Sequence, residues 1–226
     1  MDGRLSFRAT LIAVVAYAVA MALVEAAVVV YLQLALGGQV GAVLPLRPPG
    51  EAGSLVSIEA AREIATIVMI GVVGTLAGRS RLERLAWAAV VFGMWDVGYY
   101  AWLHVISGWP ASLETLDVLF LLPVPWVGPV WSPIVVSLAL VLVGVAAARA
   151  LRSGQRIRLR GRDWLAGLAG GLLVVGSYVL DAPTVLGGGL PGPYPWPLFG
   201  AGMLLAAFAA LDVLRRPRAS RPKPEP

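Results

Sequence analysis

Five ionisable side chains interrupt apolar runs of this chain: Glu25 in AMALVEAAVVV, Glu59, Arg62 and Glu63 in SIEAAREIATIVMIG, and Asp96 in FGMWDVGYYAWLH. Within hydrocarbon such a group costs roughly 2.5–3.5 kcal/mol on insertion scales, so it persists mainly where it pairs, hydrogen-bonds or works. A carboxyl in an apolar setting is poised to give or take a proton. Asp96, Glu63 and Glu25 are therefore the candidate catalytic groups. Glu59, Arg62, Glu63 and Thr66 share one helical face, which sets Arg62 between two carboxylates. Tyr100 stands one turn beyond Asp96 and His104 one turn beyond Tyr100, while Trp95, Tyr99 and Trp102 form the neighbouring stripe. Arg62, Glu59, Trp95, Tyr99, Tyr100, His104 and Trp126 are the candidate substrate-binding groups, with ring faces able to stabilise cationic character. The competing structural readings are an ion-paired knot near a helix end, a hydrogen bond between helices, and an aromatic belt at the membrane interface.

Other chemistries are excluded or find no signature. There are no cysteines, so disulfides, thiolate metal sites and iron–sulfur clusters are excluded. One histidine excludes a bis-histidine haem within the chain, and no lysine falls in an apolar run to form a retinal Schiff base. No nucleotide loop or nucleophile elbow occurs. Three carboxylates and a histidine could hold a hard divalent ion, but the Glu-x-x-His pairs of helix-bundle di-iron sites are missing. No metal and no cofactor is expected.

The elements that must position these groups are membrane spans. Hydrophobic residues make up 58% of the chain, mean hydropathy is +0.79 and 14% of residues are charged. A soluble domain is about 45–50% apolar and about 25% charged. Six apolar segments, near 9–36, 57–78, 85–107, 132–151, 163–181 and 196–214, are each long enough to cross about 30 Å. The first runs too far for a leader and reads as a retained span. Sixteen of the 18 Lys and Arg fall at the N-terminus, in the second-to-third and fourth-to-fifth connections, and in the tail. The positive-inside rule makes that face cytoplasmic and puts both termini inside. The prediction is an all-α, six-span bundle over 1–216 in a plasma membrane, bacterial inner membrane by type, with 217–226 a disordered, basic, Pro-rich cytoplasmic tail.

Only Arg47 and Arg62 are basic on the opposite side, where the loops are rich in Gly and Pro. Pro-x-Pro-Trp occurs at Pro123–Trp126 and again at Pro193–Trp196, each ahead of an inward-running segment. The apolar stretch Val118–Trp131 is short and broken by proline, so it is predicted to lie on or dip into the outer leaflet between helices 3 and 4. Gly167 and Gly171 have small-xxx-small spacing that permits close helix contact, within the bundle or with a protein partner or second copy. Topology and attraction to anionic lipid account for the basic face, so no nucleic-acid partner is expected.

Three functions fit. The first is an intramembrane acid–base enzyme acting on a lipophilic substrate, isoprenoid, sterol-like or quinone-like. The second is a quinone- or lipid-binding subunit of a larger complex, and the third a proton- or cation-coupled transporter. The expected partners are membrane lipid and a lipophilic small molecule.

Overall fold

The computed structural model describes residues 5–35 and 49–216, with 49–56 described by backbone alone. The Pro-rich tail predicted over 217–226, and Arg47, lie outside the described residues. In chain order come α1 (Phe7–Ala35), α2 (Pro49–Ala77), α3 (Arg81–Ser107), strands β1 (Leu116–Phe120) and β2 (Trp126–Pro129), α4 (Trp131–Arg152), α5 (Gly161–Val179), the short α6 (Ala182–Leu186) and α7 (Trp196–Arg215). Five of these helices are long and apolar enough to cross a membrane: α1, α2 from Ser57, α4, α5 with α6, and α7. They make this a multi-pass membrane protein.

α3 is as long as the others, at 27 residues, but is less apolar. The reason is its place. It packs against α1, α2 and α4 and so is the helix best shielded from lipid. Trp87, Val90, Val91 and Leu103 are fully buried along it, and a centre surrounded by protein can carry Trp, Tyr and Asp96. Its ends are set locally. The Ser80 hydroxyl accepts from Glu83 N–H at 3.3 Å, the Glu83 carboxylate accepts from Arg79 N–H at 3.0 Å, and Gly108 closes the helix at φ 75°.

Small residues let the neighbours approach. Ala18, Ala22 and Ala26 of α1 are fully buried, and Gly98 of α3 sits over Ala22. A Cβ on Gly93 would lie 2.4 Å from the Ser137 carbonyl oxygen of α4. α5 and α7 form a separate pair, crossing where Gly170 faces Gly202. A Cβ on Gly170 would stand 2.8 Å from the Gly202 oxygen, and one on Gly202 2.8 Å from the Gly170 oxygen. The predicted Gly167 and Gly171 do not make this contact: a Cβ on either has nothing within 4 Å.

The Pro-rich segment is the main departure from an all-α chain. Leu116–Phe120 and Trp126–Pro129 pair antiparallel, with a register shift between Val118 and Phe120. The continuous apolar run hides this, because both faces of the hairpin are covered and no polar alternation marks it. The helix pairs on either side also differ in their connections. α3 and α4 are joined by this hairpin, α5 and α7 by α6 and a Gly/Pro loop. The two copies of Pro-x-Pro-Trp thus sit in connections of different build.

Candidate functional site

Glu25 ties three helices together. Its Oε2 accepts from Thr66 Oγ1 of α2 and from Trp95 Nε1 of α3, both at 3.1 Å, and its Oε1 pairs with the Arg62 guanidinium. Arg62 also pairs with Glu59, one turn before it, with Nε donating at 2.9 Å. The i, i+3, i+4, i+7 face read from the sequence thus turns Arg62 and Thr66 onto α1. Both Glu25 oxygens are occupied, so the cluster is a satisfied ion pair rather than an open carboxylate.

Glu63, one residue along, faces elsewhere. Its Oε1 accepts from Leu121 N–H at 2.7 Å and its Oε2 from Leu122 N–H at 3.2 Å. These two amides lie at the end of β1, so Glu63 holds the hairpin down on α2. Tyr100 anchors it to α3 by donating its hydroxyl to Asp117 Oδ2 at 2.9 Å. Burial pushes the Asp117 carboxyl up to about 7, against the pull of the Tyr100 hydroxyl and the Val118 N–H. On the far side Trp126 stacks on Tyr178 of α5, with ring centroids 6.2 Å apart. The hairpin therefore straps α2, α3 and α5 together at the end of the bundle where α3 stops and α4 starts.

Asp96 joins neither group. Its Oδ2 accepts from Ser137 Oγ of α4 at 2.8 Å, and this is its one side-chain hydrogen bond among the described residues. It is 8% exposed. A single cavity around Glu25, Arg62, Glu63 and Asp96 is not what forms. Trp95 and Asp96 are consecutive on α3 and so serve different sides. Trp95 reaches Glu25 on α1, while Asp96 faces a cleft between α3/α4 and α5/α7.

That cleft has a volume of about 690 Å³. Asp96, Ser137, Phe120, Trp126 and Tyr178 line one end, and Met203, Ala207 and Leu211 of α7 continue the wall. Gly167 and Gly171 line it as well, which accounts for the empty space beside them. Leu142, also in the wall, is 71% exposed, so the cleft opens sideways to lipid. Between Gly167 and Tyr178 on α5 it runs about 16 Å at 1.5 Å per residue. The buried Nε1 of Trp126 has no acceptor among the described residues.

The remaining predicted residues have structural partners. Tyr99 stacks edge-on against Tyr100 at 5.2 Å. Trp102 Nε1 donates to the Val19 carbonyl oxygen at 3.1 Å. His104 is exposed, and its Nδ1 donates to the Pro110 carbonyl oxygen at 3.2 Å, closing the loop after α3. Among the described residues no three His, Asp or Glu side chains form a metal-ligand group.

Sequence reasoning missed Ser137 and Tyr178, and it missed a second buried charge. Glu83 is 3% exposed and accepts from Arg152 Nε at 2.6 Å and Trp87 Nε1 at 3.2 Å. Arg152 also donates to Thr10 Oγ1 at 2.9 Å and the Ala77 carbonyl oxygen at 3.0 Å. This pins four helices at the basic end. The signal available was Glu83 placed three residues after Ser80, which reads as an ordinary helix start. No family model, curated protein or solved structure matches the chain.

Proposed function

We propose that this protein is an intramembrane acid–base enzyme whose lipophilic substrate enters sideways between α4 and the α5/α7 pair. The observation that carries the reading is the carboxyl of Asp96: buried, bonded among the described residues through one oxygen only, and set in the wall of an otherwise apolar cleft that is open to lipid. Binding sites for lipophilic ligands are apolar with a few placed polar groups. Here those groups are Asp96 and Ser137. Asp96 exchanges a proton with the substrate's polar or unsaturated end. Ser137 donates to and orients the carboxyl, and the Phe120, Trp126 and Tyr178 rings bound the reacting end. The elongated remainder of the cleft suits a chain such as an isoprenoid tail. Glu63 and Glu25 act at one remove, holding the hairpin and the helices that shape the cleft.

The same reading places α3 as a sixth span, with both termini on the cytoplasmic side of a plasma membrane and the hairpin at the outer leaflet. The basic residues gathered at one end support that orientation.

The test is the identity of what the cleft holds. Protein purified from membranes is extracted, and the bound small molecules are identified by mass spectrometry. Gly171→Phe projects a ring into the cleft from a position where a Cβ meets nothing within 4 Å, and Gly200→Phe, where a Cβ also meets nothing within 4 Å and which does not line the cleft, is the control. A lipophilic species present in the wild type and the control but lost in Gly171→Phe supports the site; its retention in Gly171→Phe rejects it. Asp96→Asn keeps size and hydrogen bonding without the proton, so it is expected to accumulate a different, unconverted species. If wild type and Asp96→Asn carry the same molecule, the protein binds without converting, and the accessory-subunit reading takes precedence.

A further inference from the structure

A second cleft lies at the basic end of the bundle. It has a volume of about 860 Å³ and is walled by Ala86 and Ala89 of α3, Leu140 to Leu151 of α4, and α5 and α7. Along α4 it runs about 16 Å inward from Leu151. Nearly all of its lining is apolar. Its one carboxylate, Asp163, is already paired with Arg216.

The connection from α4 to α5 crosses its mouth. In Arg156-Ile157-Arg158-Leu159-Arg160 the side chains alternate: Ile157 and Leu159 are half-buried and line the cleft, while the three arginines are exposed. An extended backbone, seen at Arg160 with φ −92° and ψ 161°, sends successive side chains to opposite sides. Among the described residues no carboxylate pairs with these three guanidinium groups. The nearby Arg162 and Arg216 are spent on Asp163 and Asp212. Trp164, 60% exposed, completes the rim as an interfacial aromatic.

An apolar cleft in a membrane helix bundle is filled by lipid chains, since a void forfeits dispersion contacts. The three arginines lie on the other side of the strand from the cleft, exposed and, among the described residues, paired with no carboxylate, so a phosphate held beside the strand can take charge-assisted bonds from them. Basic pockets between spans on the cytoplasmic side are where anionic head groups are held. We infer that this cleft is a binding site for one anionic phospholipid, with an acyl chain lying between α4 and α5/α7 and its phosphate on Arg156, Arg158 and Arg160. Asp96 does not line this cleft, although the two clefts share Leu140, Val143, Gly167, Ala206, Ala210 and Leu214, and the assignment does not depend on the enzymatic reading.

The full chain, reconstituted in nanodiscs of equal phosphatidylglycerol and phosphatidylcholine and then released for native mass spectrometry, gives the retained lipid directly. Wild type is expected to keep phosphatidylglycerol over phosphatidylcholine by about tenfold or more, and the triple variant R156Q/R158Q/R160Q to lose that preference. The control R8Q/R149Q/R215Q removes the same charge from exposed arginines elsewhere at this end and is expected to keep it. Equal loss in both variants would mean general attraction to a basic face and would overturn the site, as would an unchanged preference in R156Q/R158Q/R160Q. Soluble glycerol phosphate is the second probe. Displacement of phosphatidylglycerol by glycerol phosphate at millimolar concentration would assign the arginines to a free phosphate instead of a lipid.

Discussion

Arg62 balances two carboxylates, and removing it leaves Glu25 buried against Thr66 and Trp95 with no counter-charge. Arg62→Ala is expected to cost about 3–5 kcal/mol, the usual loss for a broken buried pair, read as a lower thermal midpoint in detergent. Arg62→Lys can keep Glu25 or Glu59 but not the forked contact to both, and so is expected to fall between wild type and Ala. Glu63 is tested separately. Gln at this position offers one acceptor oxygen where two amides donate, so one N–H of the hairpin is left over, at about 1–3 kcal/mol. Asp117 supplies a pH dependence. Its folded-state pKa is lifted by burial to about 7, above the unfolded value, so its contribution is complete at low pH and is lost as pH rises through about 7. The thermal midpoint is expected to drop between about pH 4 and about pH 7 and to level off above that, and Asp117→Asn to flatten that drop. Much at this scale was legible beforehand. The charges of Glu25, Arg62, Glu63 and Asp96 are too costly in apolar runs to be incidental. Ser137 was not legible, because a hydroxyl can bond its own helix and carries little cost anywhere along a span.

At the scale of elements, glycine positions separate contact from open space. Gly202→Ala places a methyl 2.8 Å from the Gly170 oxygen and is expected to push α5 and α7 apart and lower the thermal midpoint. Gly167→Ala and Gly171→Ala meet nothing and are expected to leave it unchanged or raise it, by up to about 1 kcal/mol from helix propensity. Spacing alone could not choose between these glycines, since Gly167, Gly170 and Gly171 lie on adjoining faces of one helix. The segment between α3 and α4 shows the same limit. Its prolines and length ruled out a span. The pairing of Leu116–Phe120 with Trp126–Pro129 rests on a tertiary contact, the Glu63 carboxylate on two of its amides, which lies more than fifty residues away in sequence.

For the whole molecule, membrane class follows from composition, but the cleft does not. Cavities arise from how helix pairs sit together: here α5 and α7 pack closely on each other and touch the rest mainly through the aromatic stack of Trp131 on Trp196 and through β2. No window of sequence contains that arrangement. Orientation can be tested simply, because the chain has no cysteine of its own. Single cysteines at Ser153 and Ser112, both exposed and at opposite ends of the bundle, are expected to react with a membrane-impermeant maleimide from opposite sides. Reaction from the same side would reject the six-span topology.

The Gly170–Gly202 crossing makes α5 and α7 a self-contained hairpin, and this bears on how the protein is made. α1 to α4, with the Glu25–Arg62 and Glu83–Arg152 pairs complete, can assemble while the ribosome is still producing α5. The last two helices pack mainly on each other, so they can pair before they dock onto that four-helix body. Lipid would wet the flank of α4 in the interval. Both clefts lie on that flank, between α4 and the α5/α7 pair, so a pair that docks late can close over lipid already there and give a lipophilic guest a way into the fold.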